Sequence, residues 1–387
     1  MLACVPHDPP PVPRDADTVP RAPELTVSDE SVPPASAAQA SQRLGGLDAA
    51  RALAVVGMVM VHLGPARDPG PGLAASLYAL PRGRASIVFI VLAGIGVSLL
   101  AGVRRAQPGR RRRAVAVLLQ RAVLLLPVGL ALQLLDHGVL VILQYYALYF
   151  LVAAAALWLP DRALLAASGT LIATGPVIHL ALQRQEPAWF VRPAVELGDP
   201  LSTLAVDLLL AGSYPVVTWS GPLLVGMWLG RRELRNRTVQ VRLLVGGLVV
   251  ALLAWGLSAT LIALLGGPAE PPSWEQLMSV EAHSQMPLWL LGACGSATAV
   301  VGLCLLVVSR HRVVAWPLVA LGQLALTVYV AHLLVLAVDA DLLRREQVGA
   351  AAISVLRLTV VAALFAVIWR RFWPRGPLEA LLRWPRH

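Results

Sequence analysis

The stretch RLGGLDAARALAVVGMVMVHLG at residues 43–64 holds two side chains able to do chemistry in an otherwise apolar setting, Arg51 and His62. Histidine, with an ordinary pKa of about 6.5, suits the task of taking a proton from an attacking hydroxyl or amine near neutral pH. A guanidinium grips phosphate or carboxylate through charge-assisted hydrogen bonds. Together they fit a group transfer in which Arg51 holds an anionic reactant and His62 activates the nucleophile. On a helix, their eleven-step separation brings them to within about 20° of one face, roughly 16 Å apart along the axis. In a bilayer a guanidinium costs at least about 2.5–3.5 kcal/mol unless it meets a carboxylate, a phosphate or water. Asp48, one turn earlier, is a candidate partner. Snorkelling explains Arg51 alone, and a hydrogen bond to a neighbouring helix explains His62 alone. Both on one face of an otherwise uncharged run favour a polar channel.

Composition identifies the solvent around that helix. Of 387 residues, 57% are hydrophobic and 14% charged, with a mean hydropathy of +0.69, far more apolar than an average water-soluble domain. The expected fold is all-α, a polytopic membrane helix bundle of about ten spans. Apolar windows of the required length, about 20 residues, run over 47–65, 85–102, 114–134, 139–158, 163–182, 204–230, 241–266, 287–308, 314–336 and 350–369. The sixth is over-long and interrupted by GSYP at 212–215, which predicts a short interfacial piece followed by a span from about Tyr214. All 32 basic residues are arginine. With the N-terminus inside, the inward loops and tail carry 19 of them, Arg104, Arg105 and the run Arg110 to Arg113 included, whereas outward loops carry 7, among them Arg67, Arg184, Arg344 and Arg345. The positive-inside rule thus predicts that both termini are cytoplasmic. The net charge of +10 is met by anionic lipid and calls for no nucleic acid.

Three regions follow. Residues 1–42, with nine prolines, six acids and no sustained apolar run, read as a disordered cytoplasmic tail. Residues 43–373 form the transmembrane domain, and 374–387 a basic cytoplasmic tail. Cys4, Cys294 and Cys304 are too scattered for a disulfide framework and are expected to be reduced. No zinc spacing, P-loop or dinucleotide fingerprint is present.

Other polar residues in the spans extend the candidate site, each with a plainer explanation beside it. His179 and His332 fall near the outward ends of their spans, at about the depth of His62, and His137 and His283 fall in outward loops. The preference of amphipathic rings for the interface would also gather them there. Arg121 is either a second donor contact or a snorkelling side chain. Tyr145, in LQYYALYF at 143–150, is placed either to hold an acceptor or to join the interfacial aromatic belt. An oxyanion donor has five unranked candidates: Ser86, Tyr145, Gln323, Thr327 and Tyr329. Glu379 is expected to pair with a basic loop, and Gly94 and Gly96 to permit close helix contact.

The motif LDAARALAVVGMVMVH resembles the first helix of acyltransferase-3-type membrane enzymes, and GRASIVFIVLAGIGVSLL at 83–100 resembles their second. LLLAGSYPVVTWSGPLLVGMWLGR at 208–231, LGQLALTVYVAHLLVL at 321–336 and RGPLEALLRW at 375–384 resemble bacterial YeiB-like proteins and the heparan-alpha-glucosaminide N-acetyltransferase family. Across about 43–384 the resemblance implies a transmembrane acyltransferase of the bacterial plasma membrane. Acetyl-CoA or another acyl-CoA would be co-substrate, with no metal, and a hydroxyl or amine of an extracytoplasmic glycan or envelope component the acceptor. It implies a catalytic role for His62 and a donor-binding role for Arg51; the positions of the other polar residues add Arg121 as a second candidate donor contact and Asp48, His179, His332 and Tyr145 as candidate supporting groups. There is one departure: the glucosaminide branch keeps its catalytic histidine in the loop after the first helix, and the corresponding loop here, LGPARDPGPGLAASLYALPRGR, has none. Many YeiB-like members have asparagine at the position of His62, so the role falls to His62 or the chemistry differs. The rival class is a transporter or exporter, for which intramembrane Arg and His are substrate or proton sites.

Overall fold

The computed structural model describes residues 44–65, 70–102, 109–268 and 270–382. The 1–42 tail and residues 383–387 of the basic C-terminal tail lie outside the described residues, as do Arg67, Arg104 and Arg105. The described chain is helical. Its elements are α1 (Gly45–Leu63), α2 (Leu73–Ala79), α3 (Arg84–Ala101), α4 (Arg110–Gln133), α5 (Leu143–Ala156), α6 (Asp161–Gln185), α7 (Leu201–Val206), α8 (Val216–Leu229), α9 (Arg237–Leu265), α10 (Pro287–Arg310), α11 (Trp316–Gln323), α12 (Ala325–Val338), α13 (Ala340–Leu343), α14 (Val348–Phe372) and α15 (Pro377–Leu381).

Among the described residues, seven helices are long and apolar enough to cross a membrane: α1, α2 continued by α3, α4, α6, α9, α10 and α14. The sixth and ninth apolar windows form bent pairs, Leu201–Ala211 with Val216–Leu229 at 57° and Trp316–Gln323 with Ala325–Val338 at 75°. The fourth becomes the 14-residue α5.

The two bends have different causes. After α7 the chain makes a π-helical turn at Asp207–Ala211, then extends at Gly212 and restarts at Pro215, which has no N–H to continue a helix. This is the break that GSYP signals. The bend between α11 and α12 has no proline. Here the carboxylate of Glu379, on α15, accepts hydrogen bonds from the N–H groups of Leu326 and Thr327 at 2.8 and 3.1 Å and from the Thr327 hydroxyl at 2.6 Å. A residue about fifty positions downstream therefore caps the start of α12. The expected pairing of Glu379 with a basic loop is corrected to this cap.

Helix α1 lies in the interior of the bundle, in contact with α3, α10, α11, α12 and α14. Within a membrane no hydrophobic force draws helices together, so close approach depends on small residues and van der Waals fit. A Cβ on Gly322 would stand 1.7 Å from the Asp48 carbonyl oxygen, and those on Gly94 and Gly226 would stand 2.2 and 2.1 Å from the carbonyls of Leu223 and Val91. Gly94 thus makes the expected helix contact, between α3 and α8. Gly96 does not: its nearest neighbour would be the Arg51 guanidinium, at 4.0 Å. At the periphery, α9 and α14 leave most of their length unburied, with Leu252, Leu253, Leu356 and Val361 all exposed, the apolar faces that lipid covers.

Candidate active site

Helix α1 carries both ends of the site, and partners on α11 and α12 complete them. At the Arg51 end, Asp48 is 2% exposed and forms an ion pair with Arg51, whose side chain keeps 30% exposure. The i, i+3 spacing on one helix face makes this pair local. The second oxygen of Asp48 accepts from the Gln323 amide at 3.2 Å, which ties α1 to α11 beside the Gly322 contact. Because Gly96 has no side chain, the guanidinium face turned toward α3 stays open.

At the other end, His62 Nδ1 and His332 Nε2 share a hydrogen bond of 2.9 Å, and the rings stack with centroids 5.2 Å apart and planes 6° from parallel. His332 is 2% exposed, whereas His62 remains half-buried. Tyr329, one turn before His332 on α12, meets its ring edge-on at 5.2 Å, and His332 Nδ1 is buried without a hydrogen-bond partner among the described residues. His137, His283 and Arg344 lie within electrostatic reach of His62. Four of the five histidines expected on one side therefore converge around α1.

The loops hold this end in place. His137 Nε2 donates to the Leu132 carbonyl at 2.9 Å, since Nδ1 accepts from the Val139 N–H at 3.1 Å. Burial lowers the pKa of His137, partly opposed by the Leu132 carbonyl, so the ring is held neutral. Arg344 donates to the carbonyls of His62, at 3.4 Å, and His137, while the Arg345 N–H meets the Leu63 carbonyl at 2.9 Å. These bonds satisfy the open carbonyls at the end of α1. Gly138 has φ +59°, and its Cβ would lie 3.0 Å from the Arg344 guanidinium, so the loop can approach the arginine only with glycine there. In the sequence Arg344 stands out only as one of two adjacent arginines, Arg344 and Arg345, on the arginine-poor side.

The remaining candidates stand apart from the histidine pair. Tyr145 donates to Asp207 in the π-helical turn at 2.6 Å. His179 Nδ1 faces the Leu210 carbonyl at 2.9 Å and meets the Phe190 ring edge-on. Arg121 lies 6.0 Å from the centroid of Phe150. Among the oxyanion candidates, Thr327 donates to Glu379, Gln323 to Asp48 and Tyr145 to Asp207, while Ser86 pairs with Tyr214. Tyr145, Tyr146, Tyr149, Tyr214 and Tyr329, five of the six tyrosines in the chain, make one buried interior set. Cys294 and Cys304 are free and buried. Among the described residues no three His, Cys, Asp or Glu side chains are grouped as a metal ion would need.

This combination of a partly exposed guanidinium and a half-buried imidazole on one helix can hold an anion at one depth and accept a proton at another. Two family models match the chain. The heparan-alpha-glucosaminide N-acetyltransferase catalytic model matches residues 43–265, and the model of a family of unknown function, DUF418, matches residues 228–385. The first covers α1 with Arg51 and His62; the second covers Gln323, His332 and Arg344. No match was found among curated proteins.

Proposed function

Since the chain belongs to the heparan-alpha-glucosaminide N-acetyltransferase catalytic family, we propose that this membrane acyltransferase takes an acetyl or longer acyl group from acyl-CoA at the cytoplasmic side. It passes the group to a hydroxyl or amine of a glycan or other envelope acceptor on the opposite side. The membrane is the bacterial plasma membrane, and both termini, with the tails 1–42 and 374–387, are cytoplasmic; the arginine distribution supports this orientation.

The observation that carries the reading is the pair of polar ends on α1, Arg51 with Asp48 at one and His62 with His332 at the other. Arg51, open toward Gly96, holds a phosphate or carboxylate of the donor. The arm between the phosphates and the thioester of an acyl-CoA is of the same order as the roughly 16 Å rise between Arg51 and His62. In this reading the proton shared by the pair belongs to His62 Nδ1. His332 Nε2 then accepts from His62 Nδ1–H, and the lone pair of His62 Nε2 is free to act as base. His332 fixes that tautomer, a positioning role. Arg121 serves as a second donor contact, and Tyr145 and His179 as acceptor-side groups.

The test is to place the purified protein in bilayers with acetyl-CoA or a longer acyl-CoA, add glucosamine or an envelope extract as acceptor, and follow free CoA thiol. Acceptor-dependent thiol release is expected. A protein that neither binds nor consumes acyl-CoA, but moves solute down a gradient, would establish the transporter reading instead.

A further inference from the structure

Acyl transfer builds negative charge on the thioester oxygen, and a transferase without a donor for that charge forgoes the largest electrostatic contribution to catalysis. Four of the five hydroxyl and amide candidates visible in the sequence are engaged elsewhere, as described above. Tyr146 differs. Its ring is 5% exposed, and its hydroxyl is buried with no hydrogen-bond partner among the described residues. Buried hydroxyls almost always find partners, so an orphan beside the candidate site invites a functional explanation.

The position suits the task. The Tyr146 hydroxyl lies within electrostatic reach of both Arg51 and Tyr329; Tyr329 packs on His332, which bonds His62. It is thus within reach of the Arg51 end and of the tyrosine that packs on the histidine pair. The rings of Phe89, Tyr149 and Phe150 surround it edge-on at 6.0, 5.7 and 5.9 Å. They belong to α3 and to α5 itself, and they fix the direction of the hydroxyl in advance, as an oxyanion donor requires.

We propose that Tyr146 is the oxyanion donor of the acyl transfer. This rests on the acyltransferase reading above. The acceptor O–H or N–H attacks the thioester carbonyl carbon while His62 Nε2 takes its proton, and the carbonyl electrons move onto oxygen, where the Tyr146 O–H donates to them. The carbonyl re-forms as the C–S bond breaks, and the thiolate takes the proton from His62, giving CoA thiol and the ester or amide.

Tyr146→Phe tests it, assayed beside wild type, His62→Ala and Tyr329→Phe with acetyl-CoA and an envelope acceptor. The expected result is a fall in kcat of about 10²–10³-fold with the KM for acetyl-CoA unchanged, and thermal stability kept or raised because the lost hydroxyl has no partner. A Tyr146→Phe enzyme within about threefold of wild-type kcat, while His62→Ala is inactive, would overturn the inference and leave the acyltransferase reading standing. So would a marked loss of thermal stability, which would make the hydroxyl structural, or a loss confined to Tyr329→Phe. A wild-type protein that consumes no acyl-CoA would overturn the reading, and the inference with it.

Discussion

Replacing Asp48 by Asn keeps the shape of α1 and removes the charge that Arg51 faces. Asp48 is 2% exposed and accepts from both Arg51 and Gln323. Breaking a buried pair by removing one partner costs about 3–5 kcal/mol. Arg51 retains 30% exposure, so it keeps part of its hydration and the cost falls to about 2–3 kcal/mol. A double-mutant cycle isolates the pair: Asp48→Asn, Arg51→Gln and the double variant, each unfolded reversibly in mixed micelles with helicity as the readout. The double variant should cost less than the sum of the singles by about 1–2 kcal/mol, because it leaves no uncompensated charge. An Asp48→Asn protein within about 0.5 kcal/mol of wild type, with zero coupling, would refute the reasoning.

Three further outcomes follow from the geometry. Glu379→Gln should cost about 1.5–3 kcal/mol by weakening the charge-assisted cap on α12 and should lower transfer by loosening His332; equilibrium unfolding and CoA release measure the two. Gly226→Ala sets a Cβ 2.1 Å from the Val91 carbonyl, which forces α3 and α8 apart at about 1–3 kcal/mol, seen as a lower midpoint in thermal unfolding. Burial lowers the pKa of His137 in the fold, so the unfolded chain binds its proton first on acidification. Stability is then full above about pH 6.5 and falls as pH drops below it, and His137→Asn should flatten that part of a stability–pH curve.

Much of the frame is legible because membrane spans announce themselves by length and composition. The GSYP break follows from one proline and one glycine, and the pairing of Asp48 with Arg51 from i, i+3 spacing. The common depth of His62 and His332 follows from their places in their windows. What escapes is set by groups far apart in the chain. The bend at Leu324 involves Glu379, about fifty residues away, and LGQLALT has no proline to reveal it. The Arg344 contacts with His62 and His137 link segments about 200–280 residues apart. Tyr146 looks in sequence like its neighbours Tyr145 and Tyr149, and only the interior arrangement shows that Tyr145 meets Asp207, Tyr149 meets the Tyr214 carbonyl and the Tyr146 hydroxyl meets no partner among the described residues.

The central claim is that His62, held by His332 on the helix that carries Arg51, is the base of an acyl transfer. Its most direct test follows labelled acyl groups from acyl-CoA into envelope material, in membranes containing either the wild-type protein or His62→Ala at equal abundance. The account predicts transfer by the wild type and its loss in the variant. Equal transfer by the two proteins would contradict it.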